Sequence, residues 1–258
     1  ADMTTDLATP PKPVALITGG SRGIGAATAL LAARQGYAVA VNYATNSLAA
    51  DGVVRQIRAE GGTAITVQGD VGIEADILAM FDKVDAKLGR LSALVNNAGV
   101  VDLASRVDAM SAARLKRMFD INVLGSMLCA REAVKRMSTR HGGTGGSIVN
   151  LSSAAARLGS PGQYVDYVAA KGAIDTFTMG LAKEVATEGI RVNAVRPGII
   201  ETDIHASGGQ PDRAREMAPG VPMQRAGSAL EVAQAIVWLM GNEASYTTGS
   251  VLDVTGGR

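Results

Sequence analysis

The sequence predicts one α/β domain, a doubly wound parallel sheet of seven strands with helices on both faces. Short apolar runs alternate with longer helix-forming stretches along the chain, and parallel neighbouring strands need such covering crossovers. A glycine cluster closes the first run, and the 258 residues, 47% of them hydrophobic, suffice for one large core. The carboxyl ends of the strands should therefore meet at one edge of the sheet, where such folds bind ligands.

The individual elements follow from the positions of these runs and of the turn residues between them. The predicted strands cover residues 14–18, 38–42, 64–68, 93–96, 147–151, 191–195 and 250–254. The predicted helices cover residues 26–35, 47–60, 73–88, 111–139, 163–188 and 229–241. All of them are assigned to a single domain, residues 14–258.

Two segments fall outside this pattern. Residues 198–227 are rich in glycine and proline and show no clear periodicity. Because connections of that length are usually functional or disordered, residues 201–220 are predicted to form a substrate lid, with a mobile surface excursion as the alternative. Residues 1–13 are predicted to be a loose, disordered tail, in which Ala1 and Asp2 before Met3 are interpreted as a non-native remnant.

Composition and charge argue against several classes of protein. The 25 basic and 24 acidic residues are spread without a long single-sign run, which argues against a nucleic-acid partner. The lone Cys129 lies among apolar neighbours and is predicted to be a buried thiol, typical of a reducing compartment such as the cytoplasm. No apolar run is long enough to span a bilayer, and residues 1–13 lack the pattern of an export signal, so no membrane partner is expected.

Glycines cluster directly after the first strand, in Thr-Gly-Gly-Ser-Arg-Gly-Ile-Gly at residues 18–25. At this place glycine lets the strand reverse, lets the backbone approach a pyrophosphate and lets the next helix pack closely. The helix N-terminus would then face the phosphates. A P-loop is excluded, because Gly25 is followed by Ala26 and Ala27 rather than by Lys and Ser or Thr. The turn therefore predicts dinucleotide binding.

The end of the second strand predicts which dinucleotide binds. In NAD-specific folds an acidic side chain there accepts hydrogen bonds from the adenosine ribose 2′-hydroxyl. Here the strand ends in Asn42 and Tyr43, and no carboxylate occurs before Asp51. A 2′-phosphate is then not repelled, and Arg22 in the glycine turn can pair with it. NADP(H) is favoured over NAD(H), and the alternative is a solvated Arg22 with binding of both cofactors.

Tyr167 and Lys171 stand four residues apart in a predicted helix, so that their side chains share one face. A tyrosine with a pKa of about 10 is a poor base at neutral pH, but a nearby ammonium favours the phenolate. The pair could therefore exchange a proton with a carbonyl oxygen while a cofactor carries the hydride. Alone, this spacing is common on solvated helix faces, and its meaning depends on the other motifs.

Five motifs occur in order along the chain. They are Thr-Gly-x-x-x-Gly-x-Gly at 18–25, Asn-Asn-Ala-Gly at 96–99, Ser152-Ser153, Tyr167-x-x-x-Lys171 and Pro197-Gly198. With these motifs the chain resembles the short-chain dehydrogenase/reductase (SDR) family from Val14 to Gly257. It is similar to bacterial glucose-dehydrogenase-like and 3-oxoacyl-carrier-protein-reductase-like members, and stretches 157–162 and 223–225 resemble a poorly characterised bacterial oxidoreductase subgroup.

The resemblance implies a single-domain Rossmann fold and a role for each matching residue. Tyr167 would be the general acid/base, and Lys171 would lower its pKa and hold the nicotinamide ribose. Ser153 would orient the substrate oxygen, and Asn122 would hold a water that connects Lys171 to solvent. The implied assembly is a homotetramer, or a dimer, with helices 111–139 and 163–188 at the interface. The residues predicted to bind the cofactor are Gly19, Ser21, Arg22, Gly23, Ile24, Gly25, Asn42, Tyr43, Asp70, Val71, Asn96, Ala98, Gly99, Tyr167, Lys171, Pro197, Gly198, Ile200 and Thr202.

One spacing departs from the family pattern. Ser153 precedes Tyr167 by fourteen residues, one more than is commonest in the family. Ser152 is therefore an alternative to Ser153, whereas Tyr164 is no alternative to Tyr167, because no lysine stands four residues after it. Asp166 is predicted to be a solvent-exposed or helix-start residue rather than a second acid.

Other chemistries have little support in the sequence. Two histidines and one cysteine cannot supply the converging ligands of a zinc dehydrogenase, so no metal site is predicted. His205, in the lid segment, could contact the substrate, but it is interpreted as a surface histidine. Ser153 lacks the flanking glycines of a nucleophile elbow, which argues against a serine hydrolase.

The predicted function is an NADP(H)-dependent interconversion of a carbonyl and a secondary alcohol, with Tyr167 as general acid/base. The alternative from another class is a catalytically inactive NADP(H)-binding sensor or regulatory protein. Acyl thioesters, sugars or polyols, and small ketones all stay open as the small-molecule substrate, because residues 201–217 contain no diagnostic charged clamp.

Overall fold

The computed structural model describes residues 10–258, so residues 1–9 of the predicted tail lie outside it. The strands are β1 (Val14–Ile17), β2 (Ala38–Tyr43), β3 (Thr63–Gln68), β4 (Leu91–Asn96), β5 (Gly146–Leu151), β6 (Ile190–Pro197), β7 (Ile200–Glu201), β8 (Gly227–Ser228) and β9 (Val251–Val254). The α-helices are α1 (Gly23–Arg34), α2 (Ser47–Ala59), α3 (Glu74–Leu88), α4 (Ala112–Phe119), α5 (Gly125–Met137), α6 (Ala155–Leu158), α7 (Val165–Val185), α8 (Ile204–Ser207), α9 (Arg213–Met217) and α10 (Ala229–Met240).

Seven strands form one sheet in the order β3-β2-β1-β4-β5-β6-β9, and every pairing in it is parallel. This confirms the predicted fold, and the strand ends differ from the prediction by only one or two residues. Strand order reverses between β1 and β4, where a crevice opens at the carboxyl ends of the strands. The arrangement is a Rossmann fold, and the crevice positions the site.

Helices cover both faces of the sheet and enclose two hydrophobic layers. The first layer packs α1, α2 and α10 against the sheet, and the second packs α3, α5 and α7 against the opposite face. Cys129 on α5 is fully buried in the second layer, and burial raises the pKa of its thiol to about 12, which confirms the prediction of a buried thiol. Within residues 10–258, no helix combines the length and apolar character needed to cross a membrane.

The predicted helix over residues 111–139 is interrupted. A π-helical turn at Asp120–Leu124 separates α4 from α5. The side chain of Asn122 in this turn donates to the backbone oxygen of Met118 at 3.1 Å, and so competes for the regular helical hydrogen bond. Gly125 is the first residue after this turn. A Cβ there would lie 2.5 Å from the Val71 carbonyl oxygen, so glycine permits close packing of the two segments. Such local competition leaves no trace in hydrophobic periodicity.

The segment 198–227, in which the sequence shows no periodicity, contains regular structure. The short strands β7 and β8 pair with each other, and helices α8 and α9 lie between them. A small apolar cluster of Ile199, Ala214 and Val221 anchors α9. Helices of four and five residues are too short to produce a recognisable periodic pattern.

Candidate active site

The glycine-rich turn joins β1 to α1 at the crevice. Gly19 and Gly23 have φ angles of 59° and 55°, in the left-handed region that favours glycine. A Cβ on Gly25 would lie 2.2 Å from the Gly19 carbonyl oxygen, so the third glycine serves the packing of α1 against the turn. The backbone N–H of Gly19 donates to Asn42 Oδ1 at 3.0 Å, which fixes the turn to the end of β2. The turn is thus a narrow, ordered cradle.

A polar network ties this turn to the end of β4. Thr18 Oγ1 accepts hydrogen bonds from the backbone N–H groups of Asn97 at 3.0 Å and Ala98 at 2.9 Å. Asn97 Nδ2 donates to the backbone oxygens of Thr18 and Gly19, both at 3.0 Å. Asn97 was not among the predicted site residues, although it stands inside the Asn-Asn-Ala-Gly motif at 96–99.

A groove of about 450 Å³ runs along the carboxyl edge of the sheet beside this turn. We call it the dinucleotide groove. The predicted residues that line it are Gly19, Ser21, Arg22, Gly23, Ile24, Asn42, Tyr43, Asp70, Val71, Ala98, Gly99 and Thr202. Lining residues that the sequence analysis did not single out include Thr45, Asn46, Asn97, Arg117 and Ile121.

Two predicted cofactor residues lie behind the groove rather than on its wall. Gly25 is buried in the turn, as described above. Asn96 is 3% exposed, and its Nδ2 donates to Ser126 O and Asn150 Oδ1, both at 3.0 Å. The side chain of Asn96 therefore does not line the groove, because its amide links β4 to β5 and α5 within the core.

The end of β2 carries no carboxylate into the groove. Asn42 is buried, and its Nδ2 donates to the backbone oxygens of Val67 and Gly69, each at 3.1 Å. The groove wall then continues through Tyr43, Ala44, Thr45 and Asn46, none of them acidic. Arg22 is exposed on the glycine turn and lines the same groove.

The groove continues into a smaller cavity of about 180 Å³, which we call the inner pocket. Ile24, Asn97, Gly99, Thr202 and Ile204 line both cavities. The predicted residues Tyr167, Lys171, Ser153, Pro197, Gly198 and Ile200 all line the inner pocket. Further parts of the wall come from the segment 198–227 and from the turn before α7, through His205, Gly208, Arg213 and Tyr164.

Tyr167 and Lys171 lie one turn apart on α7, and both side chains face the inner pocket. Lys171 is 5% exposed, its Nζ donates to the Leu151 carbonyl oxygen at 2.8 Å, and it lies 5.6 Å from the centroid of the Tyr167 ring. The end of β5 therefore holds the ammonium beside the tyrosine. This geometry joins the two residues that the spacing had paired.

The pKa of Tyr167 is strongly shifted. Burial raises it to about 12, and a side-chain hydrogen bond with Ser153 acts in the opposite direction. Burial also lowers the pKa of Lys171 to about 8, against the charge of Asp175, which raises it. Burial therefore has the largest influence on the pKa of Tyr167, and the lowering of this pKa by Lys171 stays a prediction. At neutral pH Tyr167 is a phenol that can donate a proton.

The two serines after β5 have different environments. Ser153 lies beside Tyr167 and lowers the pKa of its phenol, and the Ser153 Oγ accepts from the backbone N–H of Ala155 at 3.2 Å. Ser152 is buried, and its hydroxyl donates to the backbone oxygen of Lys171 at 3.4 Å. Both serines line the inner pocket, but the Ser152 hydroxyl is already engaged with α7, which favours Ser153 as the partner of a substrate oxygen.

Asn122 lies in the π-helical turn behind Lys171 and is 1% exposed. Its Oδ1 accepts from the Val100 N–H and its Nδ2 donates to the Val100 oxygen, both at 3.0 Å. Gly99 lies between the two residues, since a Cβ there would be 2.7 Å from Asn122 Oδ1 and 3.7 Å from Lys171 Nζ. Only glycine leaves this space open.

Two other predictions need correction. Asp166 lies at the start of α7, as one of the two predicted alternatives has it. It is only 3% exposed, however, and forms an ion pair with Arg114 at 2.9 Å. The pair joins α7 to α4 directly beside Tyr167, so Asp166 is not solvent-exposed. His205 is not a free surface residue either, because it lines the inner pocket and its Nε2 lies 3.0 Å from the Ile200 carbonyl oxygen.

Comparisons with known proteins identify the family. The family model described as enoyl-(acyl carrier protein) reductase matches residues 19–258. The chain belongs to the short-chain dehydrogenase/reductase family. The SDR chain is 56% identical to an uncharacterized oxidoreductase, YgfF, of Escherichia coli K12, over 95% of this chain and 99% of that one. It is 40% identical to a 3-oxoacyl-[acyl-carrier-protein] reductase of Synechocystis, over 95% and 96% of the two chains.

A solved structure of an SDR relative extends the likeness to the fold. The promiscuous reductase LugOII, which catalyses keto-reduction at C1 during lugdunomycin biosynthesis, superposes with a TM-score of 0.86 and 36% sequence identity. The match covers 96% of this chain and 98% of that chain. Together the relatives show that the protein is an SDR oxidoreductase of the NAD(P)H-using type.

The dinucleotide groove of this SDR protein fits such a cofactor. The positive φ angles of Gly19 and Gly23 and the absence of a side chain at Gly99 leave the backbone open to close approach. A Cβ at Gly19 would lie 3.0 Å from Ala98 Cα and would close the cradle. When bound, the nicotinamide supplies or accepts a hydride. Among residues 10–258 no three His, Cys, Asp or Glu side chains cluster as metal ligands.

Gly25→Ala tests the packing of the SDR glycine turn. The new Cβ would lie 2.2 Å from the Gly19 oxygen and 2.5 Å from Asn97 Nδ2, so we expect a loss of about 1–3 kcal/mol in unfolding free energy and weaker NADPH binding. Denaturant unfolding and NADPH fluorescence titration measure both. Gly52→Ala in α2 is the control, since its Cβ would meet only the end of Arg55 at 3.9 Å. Unchanged affinity in Gly25→Ala would show that the turn tolerates expansion.

Asp175→Asn tests how the SDR protein keeps Lys171 charged. Asp175 is buried one turn after Lys171, pairs with Arg196 at 3.0 Å, and raises the pKa of Lys171. Its Oδ1 has no hydrogen-bond partner within residues 10–258. Lys171 is charged below its pKa of about 8, so we expect the rate of carbonyl reduction to fall as the pH rises through that value. In Asp175→Asn this alkaline limb should move to lower pH.

The measurement is a pH profile of kcat/KM for both proteins. Asp82→Asn, whose side chain is 80% exposed on α3, serves as the control and should keep the wild-type profile. An alkaline limb at the same pH in Asp175→Asn would show that the carboxylate does not influence Lys171.

Proposed function

We propose that the protein is an NADP(H)-dependent carbonyl reductase that interconverts a carbonyl and a secondary alcohol, with Tyr167 as general acid/base. One observation carries this proposal: a protonated Tyr167, Ser153 and a buried Lys171 meet in a pocket that opens from the dinucleotide groove. The raised pKa of Tyr167 means that a proton donor for carbonyl reduction is in place at neutral pH.

The pocket residues divide the reaction between them. The Ser153 hydroxyl donates a hydrogen bond to the substrate carbonyl oxygen and keeps it close to Tyr167. As the hydride reaches the carbonyl carbon, Tyr167 Oη transfers its proton to the oxygen, which becomes the alcohol hydroxyl. Lys171 stabilises the resulting phenolate by its charge, held in place by the Leu151 oxygen. We place the route of proton resupply beside Lys171, where the missing side chain of Gly99 leaves space next to Asn122.

The preference for NADP(H) is supported by the end of β2 and by Arg22. No acidic residue between Tyr43 and Asn46 lines the groove, and Arg22 is exposed at its edge. In Arg22→Ala we expect the ratio of kcat/KM for NADPH over NADH to fall about tenfold to a hundredfold, the value of a charge-assisted hydrogen bond. Arg55→Ala, an exposed arginine on α2, is the control. An unchanged ratio in Arg22→Ala would show that Arg22 does not produce a preference for NADPH over NADH.

We also propose that residues 201–220 act as a substrate lid and that the protein is a cytoplasmic homotetramer. The lid is supported by the position of α8 and α9 over the inner pocket.

The assembly is supported by exposed apolar side chains at or beside the predicted interface helices, namely Phe119, Leu124, Met127 and Met179. Light scattering gives the assembly directly, and a monomer would contradict it.

The experiment that tests the proposed function is a two-way activity screen. NADPH and NADH oxidation is measured against a panel of ketones, aldehydes, oxo acids and acyl thioesters, and NADP⁺ reduction against alcohols, sugars and polyols. We expect turnover of at least one carbonyl class with NADPH. Tight NADPH binding without turnover of any panel member would instead indicate a cofactor-binding sensor.

A further inference from the structure

The inner pocket has an unusual charge for a cavity that takes a neutral ketone. Three cationic residues line it, Lys171, Arg213 and Arg258, and none of the described residues in its wall is acidic. Lys171 lies beside Tyr167, whereas Arg213 stands on α9 in the segment that covers the pocket. A cavity lined by one sign of charge attracts ligands of the opposite sign.

Arg213 has only uncharged partners. Its Nη1 donates to Gln163 Oε1 at 3.1 Å and to Gln210 Oε1 at 2.6 Å, and the guanidinium lies 5.5 Å from the centroid of the Tyr164 ring. Within residues 10–258 it forms no ion pair, and its Nε and Nη2 donate no hydrogen bond. Arg215, two residues on, pairs instead with Asp212 outside the pocket. The guanidinium therefore keeps donors for a ligand.

The position of Arg213 is fixed by its surroundings. Ala214 is buried with Ile199 and Val221 in the cluster that anchors α9. The Tyr164 hydroxyl donates to Gln210 Oε1 at 3.3 Å, so the ring that stacks on Arg213 is itself held. A guanidinium that is already ordered loses little entropy on binding.

His205 adds no second charge at this wall. Burial lowers its pKa, and the charge of Arg213 lowers it further, so the imidazole is neutral at neutral pH. His205 and Arg213 both line the inner pocket. Arg213 is therefore the main cation that the covering segment presents to a substrate.

We infer that the substrate is an anionic carbonyl compound, a short oxo acid whose carboxylate binds the Arg213 guanidinium while its ketone faces Tyr167. This inference rests on the proposed function and names its substrate class. A carboxylate matches the planar Nε and Nη2 donors of Arg213 in a bidentate pair. The inner pocket, about 180 Å³, limits the acid to a short chain.

The experiment compares oxo acids with their methyl esters, which keep the ketone and remove the charge. The probes are pyruvate, 4-oxopentanoate and 5-oxohexanoate, each beside its ester. We expect at least one acid to exceed its ester in kcat/KM by about tenfold to a hundredfold, the range for a charged hydrogen-bonded pair. In Arg213→Gln this ratio should approach one, and Arg213→Lys should restore part of it. Arg215→Gln, on the same helix and 86% exposed, should keep the wild-type ratio.

A second measurement is independent of turnover. The same probes are titrated calorimetrically into Tyr167→Phe with saturating NADPH, with and without Arg213→Gln. Tighter binding of an acid than of its ester, lost in the double variant, supports the inference even if the activity screen shows no turnover. Equal behaviour of every acid and its ester in both measurements overturns it, whereas ester turnover with NADPH would leave the proposed function intact.

Discussion

Tyr167→Phe is expected to reduce carbonyl turnover by about a hundredfold to ten-thousandfold, the usual contribution of a positioned general acid. The phenol lines the inner pocket beside Ser153, and with a pKa of about 12 it bears a transferable proton at neutral pH. Phenylalanine keeps the ring and its packing but removes that proton. NADPH affinity should change little, because the dinucleotide groove is lined chiefly by other residues.

Single-turnover kinetics and NADPH titration of Tyr167→Phe separate these effects. Tyr246→Phe is the matched control, since this tyrosine is fully exposed after α10. Wild-type turnover in Tyr167→Phe against a good substrate would remove Tyr167 from the mechanism.

Lys171→Met is expected to have the second largest effect, a loss of kcat/KM of about a hundredfold or more, because it removes the charge that stabilises the phenolate. Lys171 is also predicted to hold the nicotinamide ribose, so we expect weaker nucleotide binding as well. The substitution removes both that contact and the hydrogen bond to the Leu151 oxygen at 2.8 Å. The alkaline limb near pH 8 should disappear together with the group that titrates there. Loss of the alkaline limb would show that the charge of Lys171 matters, and not only the packing of its side chain.

Lys183→Met, an exposed lysine further along α7, is the control for the lysine substitution. Steady-state kinetics over a pH range and a nucleotide titration give all three quantities. Persistence of the alkaline limb in Lys171→Met would assign it to a different group.

The sequence predicted those features that depend on local patterns. Apolar runs marked all seven strands of the sheet, and the spacing of Tyr167 and Lys171 placed both on one face of α7. The glycine turn and the absence of a carboxylate after β2 were also visible as residue types at fixed positions. These features follow from periodicity and from the order of the chain, which a sequence displays directly.

Other features depend on contacts between distant segments. The π-helical turn at Asn122 arises from a side chain that competes with the backbone, and Asp166 is buried because Arg114 reaches it from α4. The raised pKa of Tyr167 depends on how fully the surrounding chain excludes water. The spacing of residues along the chain predicts none of these three features.

The segment 198–227, which covers the inner pocket, also has a feature that the sequence does not reveal. No diagnostic charged clamp was predicted in it, yet Arg213 lines the inner pocket beside Tyr164. In the sequence Arg213 and Arg215 are indistinguishable, since both stand in a polar stretch. The five-residue helix α9 turns one of them towards the pocket and the other towards solvent.

The proposed function requires hydride transfer to a carbonyl carbon, and transfer of an isotope from the cofactor reveals this step. NADPH carrying deuterium at the nicotinamide C4, as each of its two epimers, is reacted with the best carbonyl of the screen, and the alcohol is analysed by mass spectrometry and NMR. One epimer should deliver deuterium to the carbinol carbon, and the other should not. Oxidation of NADPH with no deuterium at that carbon from either epimer would contradict the assignment.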